Sequence, residues 1–231
     1  MDGLRLASLY SFMPHRLKFN NESDKIFYDY AQGKGSKEEV KKTLKNSSSF
    51  FLYLSLIAKQ NKKNVFDKDV IEAYWIGNSL LDNINEKHIK DMIINEFTKI
   101  GLKRDIALNL AVNVPKKAVP HHSFHVIHAR TLGKTIPSLK NIDNCRISWG
   151  KVEGIINNRL FVSYKPLVTK NKIYFGDIIK KEITYDPKIL NPKKDDFVSF
   201  HWNFALQKLT QEQLNNLKKY TEINVRAMNR L

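Results

Sequence analysis

Arg146-Ile147-Ser148-Trp149-Gly150-Lys151-Val152-Glu153-Gly154-Ile155-Ile156-Asn157-Asn158-Arg159-Leu160-Phe161-Val162-Ser163-Tyr164 is the stretch on which the fold turns. Two runs rich in β-branched and aromatic residues flank Asn157-Asn158, a pair suited to a tight hairpin turn. The segment therefore predicts two antiparallel strands. Downstream, Lys172 to Tyr185 reads as more strand. Phe197 to Trp202 reads as another, with Val198 and Phe200 on the face opposite Ser199 and His201. Thr210 followed by Gln213 is a capping box, and it opens a terminal helix striped by Leu214, Leu217, Val225 and Met228. Short strands followed by one helix predict a small OB-like (oligonucleotide/oligosaccharide-binding) β-barrel over residues 143–231.

Upstream, the apolar period changes from two to nearly four, which predicts helices. Ser36 with Glu39 is a second capping box, and Val40, Leu44, Phe51 and Ala58 continue its stripe. The Ser47-Ser48-Ser49 run is a place for that helix to bend or break. A helix is expected from Asp67 to Leu81 and another from Asn85 to Ile100, closed by Gly101. A short one spans Asp105 to Val112. Pro115, Pro120, Gly133 and Pro137 punctuate a connecting region. The expectation is an α+β chain. A helical domain over 1–142, ending in a His-rich segment, precedes the barrel and terminal helix.

The chain has 231 residues, 39 Lys+Arg, 23 Asp+Glu and one cysteine. A core of this size needs no disulfide staple, and one cysteine cannot form an intrachain disulfide or a Cys-rich metal cluster. The most apolar stretch, Phe50 to Ala58, is far shorter than the roughly 20 residues of a membrane span. No signal-peptide pattern opens the chain, so a cytoplasmic address is expected. The net charge of +16 makes nucleic acid a partner to weigh. The excess is spread as +9 over 1–142 and +7 over 143–231, and it is mostly Lys, which suits a solvated surface. Tyr164, Tyr174, Phe175 and Trp202 are candidates for stacking bases, or for ordinary core positions.

Four of the seven histidines fall within His121, His122, His125 and His128. If Pro120 opens a helix, His121, His125 and His128 lie on one face, where neutral imidazoles could share iron, zinc or copper. The glutamate of an HExxH protease is missing, as are a Gly-rich phosphate loop and a nucleophile elbow. A metal-dependent enzyme built on this cluster is one alternative. Cys145 is the one soft anionic ligand, and His201 is its candidate neighbour.

Cys145-Arg146-Ile147-Ser148-Trp149-Gly150-Lys151-Val152 resembles the C-x-A-x-P-G-K-V opening of the HypC/HupF hydrogenase-assembly chaperones. Asp196 to Leu209, with His201 inside it, resembles their G-D-Y-V-x-V-H-x-G-F-A-I-x-K-L segment. The whole chain also resembles an uncharacterised family known as a domain of unknown function. That likeness rests on Glu72 to Gly77, Val119 to Phe124, Cys145 to Val152 and His201-Trp202. The chaperone resemblance implies an accessory protein that holds iron for delivery. Cys145 and His201 match the chaperones' cysteine and histidine, and His121 and His122 are expected as additional ligands. His125 and His128 are further candidates. The implied partner is a protein client, either HypD-like or a metalloenzyme precursor. Nucleic acid is the alternative partner, and a homodimer is possible through the helical region.

Overall fold

The computed structural model describes residues 1–12, 22–46, 48–128 and 138–229. Ser47, Gly133 and Pro137, named above as breaks, lie outside them. The helical part comprises α1 (Gly3–Ser11), α2 (Glu22–Ala31), α3 (Lys37–Asn46), α4 (Ser48–Gln60), α5 (Lys68–Trp75), α6 (Glu86–Met92) and α7 (Arg104–Val112). Two short helices, α8 (His122–Ile127) and α9 (Leu139–Cys145), lead into the sheet. No helix among the described residues is long and apolar enough to cross a membrane.

The helix ends follow local chemistry. The Ser36 hydroxyl accepts the Glu39 N–H at 3.4 Å and opens α3. The helix expected over Asp67–Leu81 is shorter, because Gly77 leaves the helical region at φ +93°. A Cβ on Gly77 would run into the Tyr220 ring, so glycine lets the chain pass under the terminal helix. The helix expected over Asn85–Ile100 forms, but after Met92 it loosens into a π-turn (Ile93–Phe97) and then a 3-10 turn. It ends at Gly101 with φ +101°, the anticipated left-handed cap.

Among the described residues seven strands follow: β1 (Ser148–Ile156), β2 (Arg159–Tyr164), β3 (Leu167–Thr169), β4 (Ile173–Phe175), β5 (Ile179–Thr184), β6 (Phe197–His201) and β7 (Phe204–Lys208). α10 (Gln211–Met228) closes the chain behind the anticipated Thr210–Gln213 capping box. The Asn157-Asn158 hairpin forms as read, with Asn157 at φ +53°. Strands β3 and β4 stand apart as a separate antiparallel arm. The run Lys172–Tyr185 is thus two strands in two sheets, parted by Gly176, Asp177 and Ile178.

The expected OB-like β-barrel needs one correction, an added strand. Five strands close into a barrel in the order β1-β2-β5-β7-β6. The return between β5 and β7 rests on one parallel pair, Thr184 with Phe204, whereas every other neighbour is an antiparallel ladder. The result is a closed barrel of mixed sheet, followed by α10. The strand that was not anticipated is β7. A two-residue turn, Trp202-Asn203, folds it back on β6, with both residues at positive φ (+49° and +66°). β7 also pairs with β5 and so completes the ring. Residues on both faces of β6 are buried, because Val198 and Phe200 enter the core inside the barrel while Ser199 and His201 meet the helices.

Cys145 lies just before the strands, as the last residue of α9, which Ser138 caps by accepting the Asn141 N–H at 3.3 Å. The largest apolar core joins the helices to the sheet. Leu9, Tyr53, Leu54, Ile57 and Ile71 share it with Ile147, Phe204 and Leu217. A second core lies inside the sheet and includes Val152, Val162, Val198 and Phe200. A buried hydrogen bond of 2.7 Å joins the Tyr10 hydroxyl on α1 to Ser199 on β6.

The α9–β1 junction holds a buried ion pair. Arg146 Nε donates to Asp143 Oδ1 at 2.8 Å, and the two side chains are 1% and 8% exposed. Asp143 also accepts from the Leu167 N–H at 2.9 Å and the Tyr164 hydroxyl at 3.2 Å. Arg146 donates to the Lys165 carbonyl at 2.7 Å. Burial lowers the Arg146 pKa, and Asp143 opposes that shift. Removing one partner of such a pair strands the other charge in low dielectric, at a cost of about 3–5 kcal/mol. Asp143→Ala is therefore expected to lower the urea-unfolding free energy by about that amount. Asp143→Ala combined with Arg146→Met is expected to recover most of it. A single variant as stable as wild type would refute the assignment.

Candidate metal centre

Three elements converge on one point. His122 is the first residue of α8, Cys145 the last of α9 and His201 the last of β6. All three are buried. Their ligand atoms lie within 4.8 Å of one another. Each is placed by a traceable contact. The Trp202 N–H, just past His201, donates to the Asn144 carbonyl at 2.8 Å and ties the β6–β7 turn to the end of α9. His122 Nε2 lies 3.0 Å from the Cys145 carbonyl, so Nε2–H donates there. That bond leaves the lone pair on Nδ1, 3.2 Å from the Tyr74 hydroxyl. A backbone carbonyl that fixes the tautomer of an imidazole is a usual support for a metal ligand.

Burial pushes the His122 pKa well below its ordinary value, and the nearby His201 and His125 push it further. The ring is neutral at physiological pH, which is the metal-binding form. The Trp75 ring packs against it at 4.5 Å between centroids, and His201 meets it edge-on at 5.6 Å. The cluster lies at the floor of a cleft of about 410 Å³. Tyr10, Phe50 and Trp202 line its aromatic side. Asp24, Thr43 and Asn46 line a polar side, and Asp24 is itself buried.

The remaining histidines divide. His125 lines the same cleft, with its ring 6.3 Å from that of His122 and edge-on to Tyr53. His121 is not part of the cluster. It is the N-cap of α8, and its Nδ1 accepts from the Ser123 N–H at 3.2 Å and pairs with the Ser123 hydroxyl at 2.8 Å. That hydroxyl accepts from Asn224 on α10, which also brackets Val119 through its N–H and carbonyl. His128 lies 3.4 Å from the Leu110 carbonyl, packed on Phe124. The common face expected for His121, His125 and His128 is corrected for a simple reason. His121 is the extended N-cap outside the helix and His128 reaches the Leu110 carbonyl, so the histidines that share the cleft are His122 and His125.

Sequence reading missed Asp24 altogether. Tyr74 and Trp75 were noticed as part of a segment but not as neighbours of the site. No local spacing links α2 and α5 to residue 145.

The fold and site define an α+β protein with a buried His/His/Cys cluster able to coordinate a metal ion at the floor of a cleft. A family model described as "Family of unknown function (DUF6390)" matches residues 1–231, and the chain belongs to that family. No curated protein and no solved structure gives a significant match.

The buried imidazoles link stability to pH. Burial lowers the His121 pKa from 6.5 to about 3, with the Trp75 and Ile76 carbonyls opposing, and it lowers His128 in the same direction. Between about pH 6.5 and 3 the unfolded chain binds more protons at His121 than the folded one. The His121 contribution to stability is therefore complete above pH 6.5 and falls as pH drops, by about 1.4 kcal/mol per pH unit, and His128 acts in the same direction. Urea midpoints measured from pH 7 to pH 4.5 are expected to decline. His121→Asn, which retains a capping oxygen, is expected to decline less steeply. A flat profile would contradict the burial of neutral imidazoles.

Proposed function

We propose that the protein is a metal-binding accessory protein, with Cys145, His122 and His201 holding one transition-metal ion at the floor of the cleft. The observation that carries this reading is the convergence of one sulfur and two imidazole donors within 4.8 Å. Around a tetrahedral ion such donors sit roughly 3.3–3.6 Å apart, given metal–nitrogen and metal–sulfur bonds of about 2.0 and 2.3 Å. The trio therefore needs only a small contraction. Thiolate with imidazole suits zinc, iron or copper better than magnesium or calcium. Three protein donors leave a fourth position open toward the cleft. An ion held this way can take a ligand from a client protein, whereas a closed four-ligand site retains its metal.

Iron, and a delivery role similar to that of HypC/HupF chaperones, is the finer form of this reading. It is supported by the order of the cysteine and histidine motifs and by the meeting of Cys145 with His201 in space. His122 supplies the third donor, and His125 stands beside it in the cleft.

The test is metal analysis of the full chain purified without oxygen, run beside Cys145→Ala and His201→Ala. About one metal per chain is expected in wild type, with loss in both variants while their circular dichroism is unchanged. Infrared bands in the cyanide and carbonyl region, present in wild type alone, would establish the finer form. Metal retained in folded Cys145→Ala would remove the proposal.

A further inference from the structure

A second concave surface lies away from the cleft, and every residue around it is described. The outer face of β1 and β2 forms its floor, the β3–β4 arm one wall and α10 the other. Its volume is about 520 Å³, within the usual range of ligand sites. Trp149, Phe175, Phe197 and Tyr164 line it. Trp149 and Phe175 are neighbours, their rings tilted by 55° with centroids 5.5 Å apart. The buried Arg146 guanidinium lies 5.4 Å from one ring and 5.2 Å from the other. That cation, locked by Asp143, fixes both rings before any ligand arrives. Ile178, 65% exposed, extends the apolar surface to the rim.

Lysines complete the lining. Lys165 is exposed, and Lys218 lies with its ammonium 5.6 Å above the Phe197 ring. Lys151 reaches Asp195 at 2.7 Å, a solvent-exposed pair that costs little to exchange. Glu153 and Glu222 also line the groove. Glu153 accepts from Ser163 and Glu222 from Arg226, so each carboxylate already has a partner.

We propose that this groove binds single-stranded nucleic acid, with bases stacked on Trp149 and Phe175 and phosphates on Lys165, Lys218 and Lys151. Aromatic rings flanked by lysines suit a ligand that alternates π-faces with negative charge. The net charge of +16 adds long-range attraction. Lysine ammonium groups act as point charges rather than bidentate forks, so the groove reads backbone and stacking and is indifferent to sequence. The bases must be unpaired, because a duplex hides their faces.

The experiment is fluorescence anisotropy of labelled oligodeoxythymidine and oligouridine, each about a dozen nucleotides long, with the full chain. Binding is expected to weaken with salt at a log–log slope near −2, from three phosphate contacts at about −0.7 each. The matched duplex is expected to bind more weakly. Lys165→Glu combined with Lys218→Glu is expected to lower affinity at least tenfold. Trp149→Phe tests stacking without opening the core, and it is expected to remove the ligand-induced quenching of tryptophan emission. Three results would each overturn the proposal: no binding at low salt, equal binding by the lysine variant, or displacement by polyglutamate as effective as by unlabelled oligonucleotide. The last would point to an acidic protein instead. Metal content of the lysine variant is expected to match wild type, so this proposal and the metal-binding reading stand or fall separately.

Discussion

Three successive residues at the end of α9 hold the structure together. The Asp143 carboxylate binds Arg146, Tyr164 and the Leu167 backbone. The Asn144 carbonyl accepts from Trp202 in the β6–β7 turn. The Cys145 carbonyl accepts from His122 on α8. One short segment thus anchors the β3–β4 arm, the turn after His201 and the His-rich helix. The three donors of the candidate centre come from elements far apart in sequence, and these bonds are what make them neighbours. The anchoring charge pair is buried, so its contribution is specificity of arrangement as much as free energy.

The turn beside the site is conformationally costly. Trp202 holds a left-handed backbone at φ +49°, which is unusual for a bulky residue and costs on the order of 1–3 kcal/mol. The neighbouring Asn203 adopts this region more readily. The strain is offset by the bond to Asn144 and by Trp202 packing beside Cys145, Val126 and Val225. Its consequence is positional. His201 ends its strand directly before the turn, so the geometry of the turn sets where its imidazole points.

Much of this was legible in the residues, for reasons that can be named. The Asn157-Asn158 hairpin, the Thr210–Gln213 cap and the Gly101 stop are short-range signals, and short-range signals survive tertiary packing. Cys145 and His201 were paired on motif order, and the structure brings them together with His122. The failures have a different origin. Which histidines reach the cleft depends on tertiary contacts: His121 is taken up as the extended N-cap of α8, and His122 becomes its first residue. Ala205-Leu206 carries little strand propensity, so β7, the strand that completes the barrel between β5 and β6, was invisible. Asp24 and Trp75 reach the cleft through helix packing that no local pattern encodes.

The central claim is that one sulfur and two imidazoles bind the same ion. X-ray absorption at the metal edge of the loaded full chain tests this most directly. The expected first shell, for zinc, contains one sulfur at about 2.3 Å and two imidazole nitrogens at about 2.0–2.1 Å, with one further light atom. A shell of oxygen and nitrogen with no sulfur would contradict the account, because it would place the ion away from Cys145.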